Sequence, residues 1–91
     1  MSKNRNGMIA YPNGSRYWYQ CDQLHRPDGP ACEYANGDRE WYQYNLRHRE
    51  DGPAIEHADG YRKWFLNGKK YTEEEFEQEL LVRKWGLSVD A

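Results

Sequence analysis

The segment DGPACEYANGDREW occupies residues 28–41 and returns as DGPAIEHADGYRKW at residues 51–64, which is 23 positions further along the chain. Trp18, Trp41 and Trp64 keep the same spacing, and each follows a glycine by four positions and an arginine by two. A fixed period of this length predicts a stack of similar supersecondary units, each too small to bury its own apolar face. Neighbouring units then complete one another's core, so the array is structural and function lies in the residues that decorate it.

The composition predicts one small domain whose burial depends on aromatic rings. The 91 residues include eight Tyr, four Trp and two Phe, and these residue types favour strands and interfaces. The net charge of −2 lacks the basic excess of a phosphate-binding surface. No segment has the composition of a signal peptide or a membrane span. We therefore expect a cytoplasmic protein without membrane contact, in which Cys21 and Cys32 are reduced thiols.

Each unit is predicted to form a β-hairpin. Asn13-Gly14, Asn36-Gly37 and Asp59-Gly60 suit two-residue type I′ turns, and the flanking runs are rich in Tyr, Trp and Ile. The strands would span residues 8–12 and 15–21, 31–35 and 38–44, and 54–58 and 61–67, with links at residues 22–29 and 45–52. The predicted fold class is mainly β, an antiparallel meander of about six strands built from three 23-residue hairpin repeats, with a C-terminal capping α-helix.

The C-terminal segment predicts that helix. Thr72 followed by Glu75 is a capping box, and Gly86 is placed to end the helix. An apolar stripe at helical spacing would pack on the last hairpin; it consists of Phe76, Leu80, Leu81 and Trp85. We therefore expect one domain over residues 1–91, with repeats at 7–71 and the amphipathic helix at 72–86.

Two-residue turns also predict which side chains share a face of the sheet. They pair Ile9 with Trp18, and the same register repeats twice along the chain. One face then carries Ile9, Cys32, Ile55, Tyr11, Tyr34, His57 and the Arg-x-Trp residues of all three units. The other carries Tyr17, Tyr19, Tyr42, Tyr44 and Phe65 with Glu33, Glu40, Glu56 and Lys63. A slip of one residue would exchange the two sets.

The repeat resembles the MORN repeat, in a variant with an Asp-Gly-Pro-Ala core. The resemblance covers residues 7–71, with a degenerate first copy, and rests on Trp41-Tyr42, Asn45, Arg47-His48, Gly52, Ala58-Asp59-Gly60 and Trp64-Phe65. The usual Tyr-x-Gly of MORN strands is absent here. The resemblance implies a twisted meander, a scaffolding role and no catalytic activity. The variant form, as it occurs in small phage and large-DNA-virus proteins, implies a phage-encoded inhibitor of a host defence complex, such as an anti-CRISPR protein acting in the host cytoplasm.

The ring-rich face predicts a non-enzymatic protein–protein interaction module. A sheet with one helix cannot cover both of its faces, and contiguous exposed rings on a small protein mark a partner site. Self-association into a homodimer is the alternative use of the same surface. The predicted partner-binding residues are Tyr17, Tyr19, Tyr42, Tyr44, Phe65, Glu40 and Lys63.

The residues are compatible with two other functions. Alternating guanidinium and indole groups could bind single-stranded nucleic acid, and this alternative face consists of Arg16, Trp18, Arg39, Trp41, Arg62 and Trp64, aided by Lys69 and Lys70. A purely structural ladder explains the same regularity. His25 and His48, with Asp28 and Asp51, give one pair of ligands per repeat, where zinc needs three or four. We predict no metal, no cofactor and no catalytic residues.

Overall fold

A computed structural model describes residues 5–86 as ten short strands and one helix. The molecule is a thin slab of 52 × 36 × 17 Å. The elements are β1 Gly7–Ala10, β2 Arg16–Gln20, β3 Gln23–Leu24, β4 Cys32–Glu33, β5 Arg39–Glu40, β6 Tyr42–Gln43, β7 Leu46–Arg47, β8 Ile55–Glu56, β9 Arg62–Leu66, β10 Lys69–Tyr71 and α1 Glu73–Trp85.

All strand pairs are antiparallel, which confirms the predicted fold class. The main sheet runs β1-β2-β4-β5-β8-β9-β10, with β3 attached to β2, and β6 and β7 form a separate pair. The strands number ten rather than about six because the first two links supply β3 and β7, the segment after β9 supplies β10, and Trp41 separates β5 from β6.

The Asn-Gly turns are three-residue loops, and the prediction of two-residue type I′ turns there is wrong. In the second repeat, the Tyr34 N–H donates to the Asp38 carbonyl at 2.9 Å, which leaves three residues in the loop. Gly37 has a φ of 98° while Asn36 is not left-handed, as in a type I turn followed by a bulge. The Asn36 side chain accepts from the Asp38 N–H at 3.0 Å, and the other two repeats do the same with Asn13 and Asp59.

The extra loop residue shifts the register by one and overturns the predicted faces. Ile9 pairs with Tyr17, not Trp18. Cys32 pairs with Glu40 and Ile55 with Lys63, instead of with Trp41 and Trp64. Because side chains alternate across a strand, this slip places the tyrosines and lysine beside the Ile and Cys positions and sends the Arg-x-Trp residues to the opposite side.

Type I′ turns do occur, at the other end of each hairpin. Cys21-Asp22 and Tyr44-Asn45 connect β2 to β3 and β6 to β7, with φ values of 49° and 67° and of 50° and 68°. Asn67-Gly68 makes the third such turn, between β9 and β10. The first and third repeats therefore contribute three strands each, and the second contributes four because Trp41 separates β5 from β6. The second turn of each repeat extends toward the preceding repeat.

A histidine in each link holds the second turn of the next repeat. The Nδ1 of His25 accepts the Tyr44 N–H at 3.2 Å, and the Nδ1 of His48 accepts the Asn67 N–H at 2.9 Å. Both imidazoles are buried. At the start of the array, the side-chain oxygen of Asn6 accepts the equivalent N–H, that of Cys21, at 2.8 Å.

The buried apolar residues form a thin core along the sheet and under the helix. They are Tyr19, Ala31, Cys32, Ala54, Ile55, Phe65, Leu66 and Phe76. Helix α1 begins at the predicted capping box of Thr72 and Glu75 and ends at Gly86 in the left-handed region. Phe76 alone of the predicted apolar stripe is buried, whereas Leu81 and Trp85 are exposed. The helix therefore anchors one end of the sheet without covering its faces.

The hydrogen bond between a link histidine and the turn of the next repeat is expected to stabilise the fold. Replacing His48 by Ala leaves the Asn67 N–H without its acceptor, and we expect a loss of about 1–3 kcal/mol in the free energy of unfolding. His57→Ala is the control, because His57 is half-buried and bonds the Asp38 carboxylate rather than a turn amide. Urea denaturation of both variants measures the difference. Equal losses would contradict a special role for the link histidine.

Candidate functional site

Four half-exposed tyrosines line one side of the sheet, and we call them the tyrosine face: Tyr11, Tyr17, Tyr34 and Tyr42. The register that joins Ile9, Tyr17, Cys32 and Glu40 across adjacent strands brings them together. The Tyr17 ring centroid lies 5.1 Å from that of Tyr11 and 5.8 Å from that of Tyr34, in tilted and edge-on arrangements. These are the separations at which aromatic pairs attract one another.

Glu40 supplies the carboxylate within this face. It accepts a hydrogen bond from the Tyr42 hydroxyl at 2.8 Å, and the Arg47 guanidinium lies 3.9 Å away. Burial, reinforced by this carboxylate, raises the pKa of Tyr42 to about 12. Burial likewise raises the pKa of Tyr17 and of Tyr34. The face therefore presents neutral phenols that offer both apolar ring surface and hydroxyl hydrogen bonds.

The predicted partner-binding residues divide into three groups. Tyr17, Tyr42, Glu40 and Lys63 are half-buried, and the first three belong to or adjoin the tyrosine face. Tyr19 and Phe65 are buried within the chain; the Arg5 guanidinium covers the Tyr19 ring at 4.1 Å, and Phe65 packs with Ala54 and Ile55. Tyr44 is 56% exposed in its turn and stacks on His25 at 4.2 Å.

The two-residue turns predict Tyr11 and Tyr34 on the opposite side of the sheet, but one signal in the sequence indicates their observed position. Pro12 precedes Asn13-Gly14, and proline favours the second position of a type I turn with glycine at the fourth. A type I turn from Tyr11 to Gly14 implies a three-residue loop. That loop length shifts the register by one and brings Tyr11 beside Tyr17.

The opposite side carries a row of alternating charges that we call the arginine row: Arg16, Glu33, Arg39, Glu56 and Arg62 in successive strands. Arg16 pairs with Glu33 at 3.4 Å. The three arginines are exposed and the two glutamates are half-buried. Opposite charges directly across from one another stabilise neighbouring strands. The row thus offsets most of its own positive charge.

Two of the three repeated tryptophans lie beneath guanidinium groups from the links. Arg26 stacks on Trp18 and Arg49 on Trp41, each with 3.8 Å to the ring centroid. Arg49 also donates to the Pro53 carbonyl at 3.0 Å and pairs with Glu56 at 3.0 Å. A Cβ on Gly52 would approach the guanidinium carbon of Arg49 to 2.9 Å, so the glycine of Asp-Gly-Pro makes room for the stack. These indoles are occupied rather than open to a nucleobase.

The remaining candidates take structural positions. His25 and His48 accept turn amides as described above, and among residues 5–86 no three His, Cys, Asp or Glu side chains cluster as metal ligands would. Lys69 and Lys70 are exposed on β10.

A cleft of about 540 Å³ separates the two links and includes Trp41 and Arg49 in its wall. Within the described residues, no helix has the length and apolar character needed to cross a membrane.

We compared the chain with known protein families, curated proteins and solved structures. No protein-family model, no curated protein and no solved structure matches the chain. The resemblance to MORN repeats therefore stays a prediction.

The stacked and the exposed arginines are expected to differ in their effect on stability. Arg49→Ala removes a half-buried cation–π stack, two ion pairs and a bond to the Pro53 carbonyl, and we expect it to lower the free energy of unfolding by about 1–3 kcal/mol. Arg39→Ala removes an exposed member of the arginine row and should change it by less than about 0.5 kcal/mol. Thermal denaturation compares the two. A large loss in Arg39→Ala would contradict this assignment.

The two cysteines are expected to differ in reactivity. Both are free; Cys21 is exposed and Cys32 is buried, and burial raises the pKa of the Cys32 thiol to about 11. Because the thiolate is the reactive form, Cys32 stays protonated and inert at pH 8. Iodoacetamide followed by mass spectrometry should label Cys21 alone in the native protein and both residues in urea. If Cys32 of the native protein is labelled as fast as Cys21, that result would contradict the burial of the Cys32 side chain.

Proposed function

We propose that this chain is a non-enzymatic protein–protein interaction module that binds its partner through the tyrosine face. One observation carries the proposal: rings cluster on one side of a slab only 17 Å thick, and the single described helix packs against β9 and β10 at the far end. Folded domains bury the apolar face of a sheet against a second layer. A partner protein supplies that layer here.

The chemistry of the tyrosine face favours a protein as its ligand. Tyr side chains combine a large apolar area with a polar hydroxyl and lose little conformational entropy on binding, so they are enriched among the residues that dominate interface energetics. The mutual stacking of Tyr11, Tyr17 and Tyr34 fixes these rings before binding. Preorganisation of this kind lowers the entropic cost of association.

The arginine row supports nucleic-acid binding less well. Its positive charges alternate with Glu33 and Glu56, and Trp18 and Trp41 are covered by guanidinium groups. Binding to single strands depends on free ring faces and a basic groove. We keep this function as an outcome of the test below rather than as the main proposal.

The proposal includes the cellular setting that the sequence predicts. The two free cysteines suit the reducing cytoplasm, and we place the protein there, as a viral modulator of a host defence protein. The viral role rests on the resemblance, and the cytoplasmic setting on the free cysteines. The binding face is argued independently of it.

Affinity capture with matched variants tests the binding face. We expect Tyr11→Ala and Tyr17→Ala to reduce recovery of the partner by about tenfold or more, because each removes a ring from the centre of the interface. Arg39→Ala, on the opposite side, is the control and should retain the partner. Tyr11 is the sharper position because its side chain is the most exposed of the four.

The readouts separate the alternatives. Tagged wild type and the three variants are captured from lysate of the source cell, and proteins and nucleic acids are both quantified. Circular dichroism establishes that each variant is folded. A partner that Arg39→Ala loses and the tyrosine variants keep, or recovery of nucleic acid in its place, would overturn the proposal.

A further inference from the structure

The two end strands of the main sheet are protected to different degrees. At one end, β10 carries Lys69 and Lys70, and helix α1 packs against β9 and β10. At the other end, β1 has the sequence Gly-Met-Ile-Ala and contains neither a charge nor a proline. Natural sheets guard exposed edges with lysine, proline or a covering element. An edge left without these devices is a surface for pairing with another strand.

Among the described residues, β1 has a neighbour on one side only. The residues 23 positions later, Cys32 and Glu33 of β4, pair with β2 on one side and with β5 on the other. Ile9 and Ala10 hold the same place in the first repeat but pair only with β2. This position of the repeat is therefore built to have two neighbours, and β1 has one of them.

The hydrogen bonds define which groups the free edge offers. The Tyr11 N–H donates to the Ser15 carbonyl at 2.8 Å, so Tyr11, Ile9 and Gly7 direct their main-chain groups toward β2. Antiparallel ladders alternate in this respect. The N–H and C=O groups of Met8 and Ala10 therefore point away from the sheet, and the Met8 side chain is 49% exposed.

We propose that β1 pairs antiparallel with β1 of a second copy of this chain. The two-fold axis lies between Ile9 and the partner's Ile9, which places Met8 opposite the partner's Ala10. Met8 and Ala10 then exchange main-chain hydrogen bonds with their counterparts, four in all. The uncharged sequence brings no like charges together at the seam.

A second copy fits this edge better than a head-to-tail stack. Head-to-tail association would use the opposite end of the sheet, where α1 and two lysines lie. Pairing of β1 with itself is isologous and closes at two subunits. Because Ile9 pairs with Tyr17, the tyrosine faces of both copies come to lie on the same side of one continuous sheet.

Molar mass in solution tests the pairing. Light scattering across a concentration series should give twice the chain mass of 10.9 kDa for the wild type. Ala10→Pro removes an N–H that the chain itself does not use and places a ring on the edge, and we expect it to raise the dimer dissociation constant by about tenfold or more. Ala10→Thr keeps the N–H and suits a strand, so it should remain dimeric.

Hydrogen exchange provides a readout that does not depend on the variant. In the wild type, the amides of Met8 and Ala10 should become protected as concentration rises, while other exposed amides do not change. A monomer at every concentration, or a dimer that Ala10→Pro leaves intact, would overturn the proposal. If Ala10→Pro does not fold, unprotected Met8 and Ala10 amides in a dimer would overturn it equally. Partner capture by the tyrosine face is independent of either result.

Discussion

The hydrogen bond from a left-handed turn to the imidazole of the preceding link is the interaction on which the array depends. It joins each repeat to the next, because a link imidazole is the acceptor for an amide of the following repeat's turn. His48 receives the Asn67 N–H in this way, and His25 receives that of Tyr44. Asn6 supplies the same acceptor before the first complete repeat. Since no single hairpin can bury its own rings, these bonds determine where each unit lies against its neighbour.

The links also separate the two sides of the sheet into different roles. On one side, their arginines stack on Trp18 and Trp41, so that aromatic surface is closed by groups of the same chain. On the other side, the tyrosines contact one another but remain half-exposed. This difference explains why the repeated tryptophans and the repeated tyrosines, which are equally regular in the sequence, are expected to have different roles. The covered pattern stabilises the array, and the open one is the candidate for binding.

Several features followed from local patterns in the sequence, and the register did not. The capping box of Thr72 and the glycine at position 86 predict both ends of the helix to within one residue, because capping depends on neighbouring residues alone. The Asn36-Gly37 pair correctly marked a turn, but the loop contains three residues instead of two. One residue in a loop moves every side chain of the strand to the other face. The shifted register brings Phe65 to the side of Ile55, where it is buried, and Tyr19 is buried beneath Arg5.

The sequence by itself determined the period, which recurring residues display directly. It also determined the antiparallel hairpins and the capping helix, since these depend on residues within about one turn or one strand of each other. Only the tertiary structure decided that the link arginines close over the tryptophans and that Tyr17 and Tyr34 of neighbouring repeats come into contact. The first outcome joins residues that are 8 positions apart, Arg26 with Trp18 and Arg49 with Trp41. The second joins Tyr17 with Tyr34, which are 17 positions apart. The stacks depend on how each link folds back over its own repeat, and the tyrosine contact depends on the pairing between repeats; no local pattern specifies either.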